Sequence, residues 1–222
     1  MISNHDRSGW FGASDTSMIM GKWTSKSFCN WWLDKVGLRQ SNFSNVYTMT
    51  GNAYEHKILD FIGVKHTDRQ IRILLYRLRV NLDGEDEIIH EVKTHKSEEF
   101  KVTKAYWQQA QVEMFATGKE LEIVAYKLEE EDYNNFFRPI DPDRITRHKI
   151  DYDPEWIEAE YIPRLKYFAY CLRKGVMPCA EGFVTYTTML KRADKKSRSY
   201  STLMKILGGV SITSRNVTLR LL

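Results

Sequence analysis

The chain has 222 residues, 42% of them apolar, and a formal charge of +4. That supports one domain with a real core, with room for an appendage. No apolar run approaches the roughly 20 residues needed to span a bilayer, and the first residues lack a signal-peptide pattern, so no membrane association is expected. Cys29, Cys171 and Cys179 have neither metal-knuckle nor disulfide-framework spacing. This fits a reduced, cytoplasmic setting and excludes a four-thiolate iron–sulfur cluster. The charge is uneven: residues 180–222 hold eight Lys or Arg and two acids, and the remainder holds 25 basic and 27 acidic residues. The basic end either adds sequence-independent phosphate contacts or is an ordinary solvated tail.

Residues 1–11 read as irregular. Ser14 and Asp15 can cap a helix running to about Gly21. Its free N–H groups would suit a terminal phosphate, although a plain N-cap explains the same residues. Residues 25–36 form an amphipathic helix whose Phe28, Trp31 and Trp32 fit a core better than a base-stacking platform. Residues 39–50 read as a polar loop. A helix over 50–63 carries Glu55 and the periodic Ile58, Leu59 and Ile62. Strands follow around 70–82 and 88–95. Residues 99–117 form a helix on which Tyr106 and Gln109 share a face. Residues 121–129 and 134–139 look like a strand pair, and Asp153-Pro154 opens a long helix to 174. From 179 onward no firm periodicity appears until Ser201–Leu207. The mixed order predicts an α/β core with a mixed central sheet flanked by helices.

Chemistry concentrates in residues 83–93, Asp-Gly-Glu-Asp-Glu-Ile-Ile-His-Glu-Val-Lys. Glu91 and Lys93 share a strand face because side chains alternate. If Leu75–Leu82 and Ile88–Thr94 pair as a hairpin, Asp83 lands near Glu91. Two carboxylates and an ammonium then converge, a set suited to Mg²⁺ or Mn²⁺ and an attacking water. Read alone, the segment also fits an Asp-Gly turn and a solvated Glu-x-Lys face. The parity of His95 would let it reach DNA or a metal, whereas His90 falls on the opposite face and reads as packing or surface. No glycine-rich phosphate loop is present, so a nucleotide-driven motor is excluded.

Asp-x7-Glu-x-Lys is the pattern of the PD-(D/E)xK nucleases, with Leu82 where many members have proline. Three more blocks accompany it in order: Arg7-Ser-Gly-Trp-Phe-Gly-Ala-Ser14-Asp15, Gly51-Asn-Ala-Tyr-Glu55, and Ala105-Tyr106-Trp-Gln108-Gln109-Ala-Gln111. Together they resemble the phage-type YqaJ recombinase family, which includes lambda exonuclease, over roughly residues 5 to 178. The resemblance implies a restriction-endonuclease-like exonuclease domain over residues 1–178, followed by a basic C-terminal extension over 179–222. It implies Asp83 and Glu91 as metal-binding carboxylates, Glu55 as a helix-borne acid completing the site, and Lys93 as the lysine that orients water. Gln109 would brace the site, with Tyr106 one turn before it. Arg7 and Ser14 would hold a 5′-terminal phosphate. Asn81 stands where some relatives have serine. The second phosphate-gripping arginine has no clear match, and Lys96 is the nearest substitute.

The function so implied is Mg²⁺-dependent hydrolysis of DNA, with Mn²⁺ able to substitute. It would run 5′ to 3′ on linear duplex and leave 3′ overhangs for phage recombination beside a single-strand annealing protein. Relatives act in a bacterial cytoplasm, and some form trimeric rings. The alternatives are an endonuclease or structure-specific nuclease of the same fold, and a non-catalytic DNA- or protein-binding module. The complete set of Glu55, Asp83, Glu91 and Lys93 argues against the last.

Overall fold

The computed structural model describes residues 8–39 and 46–206, with side chains as far as residue 195. The chain divides into two compact units, Met1–Ala180 and Glu181–Leu222. In the first, five strands form one sheet in sequential order: β1 (His66–Ile73), β2 (Leu78–Glu85), β3 (Ile89–His95), β4 (Leu121–Lys127) and β5 (Ile145–Ile150). β1–β2, β2–β3 and β4–β5 are antiparallel, and β3–β4 is parallel. A parallel neighbour needs a crossover, and helix α4 (Lys104–Thr117) supplies it. The expected mixed α/β architecture is therefore present.

Four local expectations need correction. The second strand of the later pair is β5, not 134–139. Residues 130–133 form a 3₁₀ turn instead. The buried Asp132 carboxylate there accepts bonds from Tyr54 (2.7 Å), Arg138 (3.0 Å), Arg144 (2.7 Å) and the Glu129 N–H (2.8 Å). A buried charge needs such partners, so the chain wraps around it. The strand region expected at 70–82 is two strands, separated by a 3₁₀ turn at Leu74–Tyr76 with Arg77 at φ +53°. Helix α3 is Val46–Phe61, reaching into the expected loop, where Thr50 bonds back to the Val46 carbonyl at 2.7 Å. Residues 40–45 lie outside the described part. α4 starts at Lys104 rather than 99, because Thr103 caps the Tyr106 N–H and Phe100 turns into the core.

The sheet packs on α3 through Tyr54, Ile58, Leu59, Val64, Val92, Val124, Tyr126 and Leu128. A second cluster is aromatic. Helix α1 is Thr16–Ile19, and α2 (Lys26–Lys35) brings Phe28, Trp31 and Trp32 to Phe168. Phe11 and Trp23 meet the same ring at 6.0 and 5.1 Å. The α2 aromatics are thus core, as their spacing suggested. Phe168 lies on the long helix expected from 153. That helix runs as α5 (Pro154–Trp156), a π-helical turn (Ile157–Tyr161) and α6 (Ile162–Lys174), with Asp153 capping Trp156 at 2.8 Å.

Helix α7 (Ala180–Ile206) makes up the described part of the second unit. Its apolar period is interrupted by threonines whose hydroxyls bond back within the helix, Thr185 to Glu181 and Thr188 to Val184. This is why the sequence reads as unpatterned there. No helix among the described residues is long and apolar enough to cross a membrane.

Phe168 is fully buried at the centre of six aromatic neighbours. Phe168→Ala should cost about 3–5 kcal/mol, read as a lower denaturant midpoint with an unchanged m-value.

Candidate active site

β2 and β3 pair through only two rungs, Gly84–His90 and Glu85–Ile89. The expected hairpin is therefore confined to its turn. Beyond it the strands part, and the Val92 N–H donates to Asp83 Oδ2 at 2.9 Å in place of a ladder bond. Asp83 does lie beside Glu91. Gly84 permits the close approach of α3: a Cβ there would come within 2.5 Å of the Leu59 side chain.

A cleft of about 450 Å³ opens in the gap. Glu55, Asp83, Glu91, Lys93 and Gln109 line it, and so does Ser14. Glu91 Oε1 receives Lys93 Nζ at 2.5 Å and Gln109 Nε2 at 2.5 Å. Tyr106 lies under the Lys93 ammonium, 5.2 Å from the ring centre. Gln109 also donates to Glu113 Oε1 at 2.9 Å. Glu113 is fully buried and was not anticipated. Its signal was available, since it sits four residues after Gln109 on the same helix face.

Ser14 is exposed and belongs to a 3₁₀ turn, Ala13–Asp15. It does not cap the helix; Asp15 instead accepts from Gly12 N–H (2.6 Å), Trp31 (2.7 Å) and Lys35 (2.5 Å). These bonds fasten the turn to α2 and set Ser14 at the cleft wall. Lys96 and His95 are not among the cleft-lining residues. Lys96 stacks on Tyr47 and Tyr133 at 4.6 and 4.3 Å, and His95 leans on Phe100 and Ser97. His90 is buried, with its Nδ1 in a hydrogen bond to Glu122 at 2.8 Å, which agrees with packing. Arg7 lies outside the described residues.

The acids that line the cleft outnumber its cations, Lys35, Arg79 and Lys93. Burial, then the charges of Glu91 and Glu55, push the Asp83 carboxyl well above the usual carboxylate range; Lys93 and the Val92 N–H pull the other way. Burial and Glu91 raise Glu113 and Glu55 in the same direction. Burial lowers the Lys93 pKa, but Glu91 and Asp83 outweigh it and leave it above the ordinary lysine value. Glu91 Oε2 and Glu113 Oε2 are buried and lack a hydrogen-bond partner. Orphaned buried carboxylate oxygens beside other acids fit a hard divalent cation. Asp83 and Glu91, with Glu55, could hold it. Glu55, His56 and Asp68 form an adjoining donor set, their ligand atoms within 4.8 Å of one another. Spacing gave no sign of it, because β1 folds Asp68 back onto α3 with a left-handed backbone, φ +58°.

Two solved structures share this fold. LHK-Exo in complex with dAMP is 20% identical, with a TM-score of 0.52 over 85% of this chain and 94% of that one. The alkaline exonuclease LHK-Exo from Laribacter hongkongensis is 17% identical, with a TM-score of 0.51 over 86% and 95%. No protein-family model matches the chain, and no curated protein matches it in sequence. The likeness establishes the fold, a mixed five-stranded sheet flanked by helices.

The raised carboxyl pKa values fix the sign of a pH effect. Groups that hold protons more tightly when folded stabilise the fold below the ordinary carboxylate pKa and lose that contribution as pH rises through their folded values. In metal-free protein the cleft's own contribution to stability should therefore fall as pH is raised from the acid side. Mn²⁺ at one hundred times its Kd should restore about 2.7 kcal/mol, and Glu113→Gln should flatten the metal-free profile. Melting curves in chelator and in Mn²⁺ across that pH range check this.

Proposed function

We propose that the chain is a divalent-metal-dependent DNA exonuclease that degrades linear duplex from 5′ ends and leaves 3′ overhangs. The observation that supports it most is the orphaned, buried Glu91 Oε2 in a cleft with Asp83, Glu55 and a charged Lys93. The fold shared with an alkaline exonuclease agrees with this reading.

Asp83 and Glu91 supply hard oxygen donors for Mg²⁺ or Mn²⁺, and Glu55 completes the set from α3. The imidazole of His56 suits Mn²⁺ better than Mg²⁺. When bound, such an ion lowers the pKa of water and offsets charge building on the phosphate. Lys93 is held as an ammonium by Glu91 and Asp83, so its part is to place the water and the scissile phosphate by charge and hydrogen bonding. The ring of Tyr106 supports that ammonium from below. Gln109 fixes Glu91 by donating to Oε1, which turns Oε2 free of protein donors. Ser14 offers a hydroxyl to a 5′-terminal phosphate, with Arg7 as its proposed partner. The resemblance adds a bacterial cytoplasm, a single-strand annealing partner and, as in some relatives, a trimeric ring.

Asp83→Ala or Glu91→Ala should lower the rate at least ~100-fold by removing a metal ligand. Purified, folded variants are assayed on end-labelled duplex with Mg²⁺. Near-normal cleavage by either would refute the site. Linear duplex should be degraded and closed circular duplex spared; digestion of both would favour the endonuclease reading instead.

The basic extension, residues 179–222, is proposed to add non-specific DNA affinity. A truncation after Pro178 should bind duplex with a shallower salt slope, by roughly 0.9 for each phosphate it no longer neutralises, yet cut normally at saturating DNA. A truncation that melts early or aggregates would assign the segment to packing.

A further inference from the structure

One face of the β1–β2 ribbon runs from acid to base. Asp83, Asn81 and Arg79 alternate along β2, so their side chains leave the same face. Across the ribbon Asn81 pairs with Gln70, and Arg79 pairs with Arg72. Gln70 Nε2 donates to Asn81 Oδ1 at 3.0 Å. The face therefore passes from the Asp83 carboxylate, through an amide pair, to an arginine pair about 13 Å along the strand.

Like charges set directly opposite one another on a ribbon repel. A third arginine adds to them. Phe11 joins the start of β2: its N–H donates to the Arg77 carbonyl (2.8 Å), and the Arg79 N–H donates to its carbonyl (2.7 Å). This lays Trp10 beside the cluster. The guanidinium carbons of Arg72 and Arg77 sit 5.8 and 5.7 Å from the Trp10 ring centre. Arg77 keeps its left-handed backbone at the same spot. Arg72 also donates to Gln70 Oε1 at 2.7 Å. Among the described residues, neither Arg72 nor Arg77 is in an ion pair. Trp10 and Arg79 line the same cleft as Asp83 and Glu91. Two guanidiniums outside any ion pair, gathered by a tryptophan at the end of this ribbon, match the chemistry of a phosphate diester: planar donors and positive charge.

We propose that Arg72 and Arg77, gathered by Trp10 beside Arg79 at the basic end of the ribbon, form a subsite that grips an internal backbone phosphate of the DNA strand, remote from the bond cleaved at Asp83 and Glu91. This rests on the nuclease reading of the cleft. The acid end of the ribbon receives the cation, the arginine end receives the diester, and the Gln70–Asn81 pair spaces them. Trp10 holds two mutually repelling cations in place before DNA arrives, which lowers the cost of ordering them.

The test is duplex binding by the full chain in chelator, where hydrolysis is silent, measured by fluorescence anisotropy from low to high salt. Arg72→Gln with Arg77→Gln should weaken binding and reduce the slope of log K against log salt by about 0.9, the amount for the one phosphate no longer neutralised. Arg72→Lys with Arg77→Lys keeps the charge and should restore most of the slope. Trp10→Ala should weaken binding, and Trp10→Phe should retain it. The loss of affinity should be equal on duplexes with 5′-phosphate and 5′-hydroxyl ends; a loss confined to phosphorylated ends would overturn the internal-diester assignment. A wild type that binds and degrades duplex, with a glutamine variant unchanged in affinity and slope, would overturn the subsite and leave the nuclease reading standing. A wild type with no salt-dependent duplex binding would overturn both.

Discussion

The parting of β2 from β3 governs the rest of the site. A buried backbone N–H must find an acceptor, and at Val92 the ladder no longer provides one. The Asp83 carboxylate does. One hydrogen bond therefore ends the hairpin, orients an acid and opens the space into which α3 and α4 project Glu55, Gln109 and Glu113. Moving that carboxylate would leave the Val92 amide buried and unsatisfied, so the acid is tied to the fold as well as to the chemistry.

The cleft so formed is electrostatically unfavourable by itself. Glu55, Asp83, Glu91 and Glu113 face one another, and Lys93 answers only part of their charge. Such an arrangement persists because other contacts over-determine it. The aromatic cluster at Phe168, the Asp15 anchor and the bonds around Asp132 hold the walls in place. Stability is given up in the cleft and made good at its margins, as expected where a site must be preorganised.

Much of this was legible in the sequence because the signals were local. Alternation along residues 88–95 put Glu91 and Lys93 on one face, and helical spacing put Tyr106 beside Gln109. Asp153-Pro154 marked its helix start correctly. What could not be read depended on contacts distant in the chain. Residues 134–139 have strand-like composition, but the Asp132 carboxylate and its two arginines redirect them. Ser14 looked like a cap, yet Asp15 takes the capping bond to Gly12 and also binds Trp31 and Lys35. His56 and Asp68 meet only because β1 folds back on α3. The long helix α7 was hidden because threonines stand at positions that interrupt its apolar periodicity, while their hydroxyls are satisfied by carbonyls of the helix itself.

The parallel pairing of β3 with β4 has a consequence in time. Ile89 finds Leu121 only after the whole of α4 has crossed over the sheet, and non-local pairings of this kind close slowly because the loop entropy is lost before the pairing rewards it. α4 carries Gln109 and Glu113, so the constellation is complete only when this late step is done. A chain still emerging from the ribosome, with its β1–β2 ribbon formed and its crossover open, has the two carboxylates of β2 and β3 but no bracing amide. A chain in that state lacks the finished cleft, whose completion depends on a single crossover.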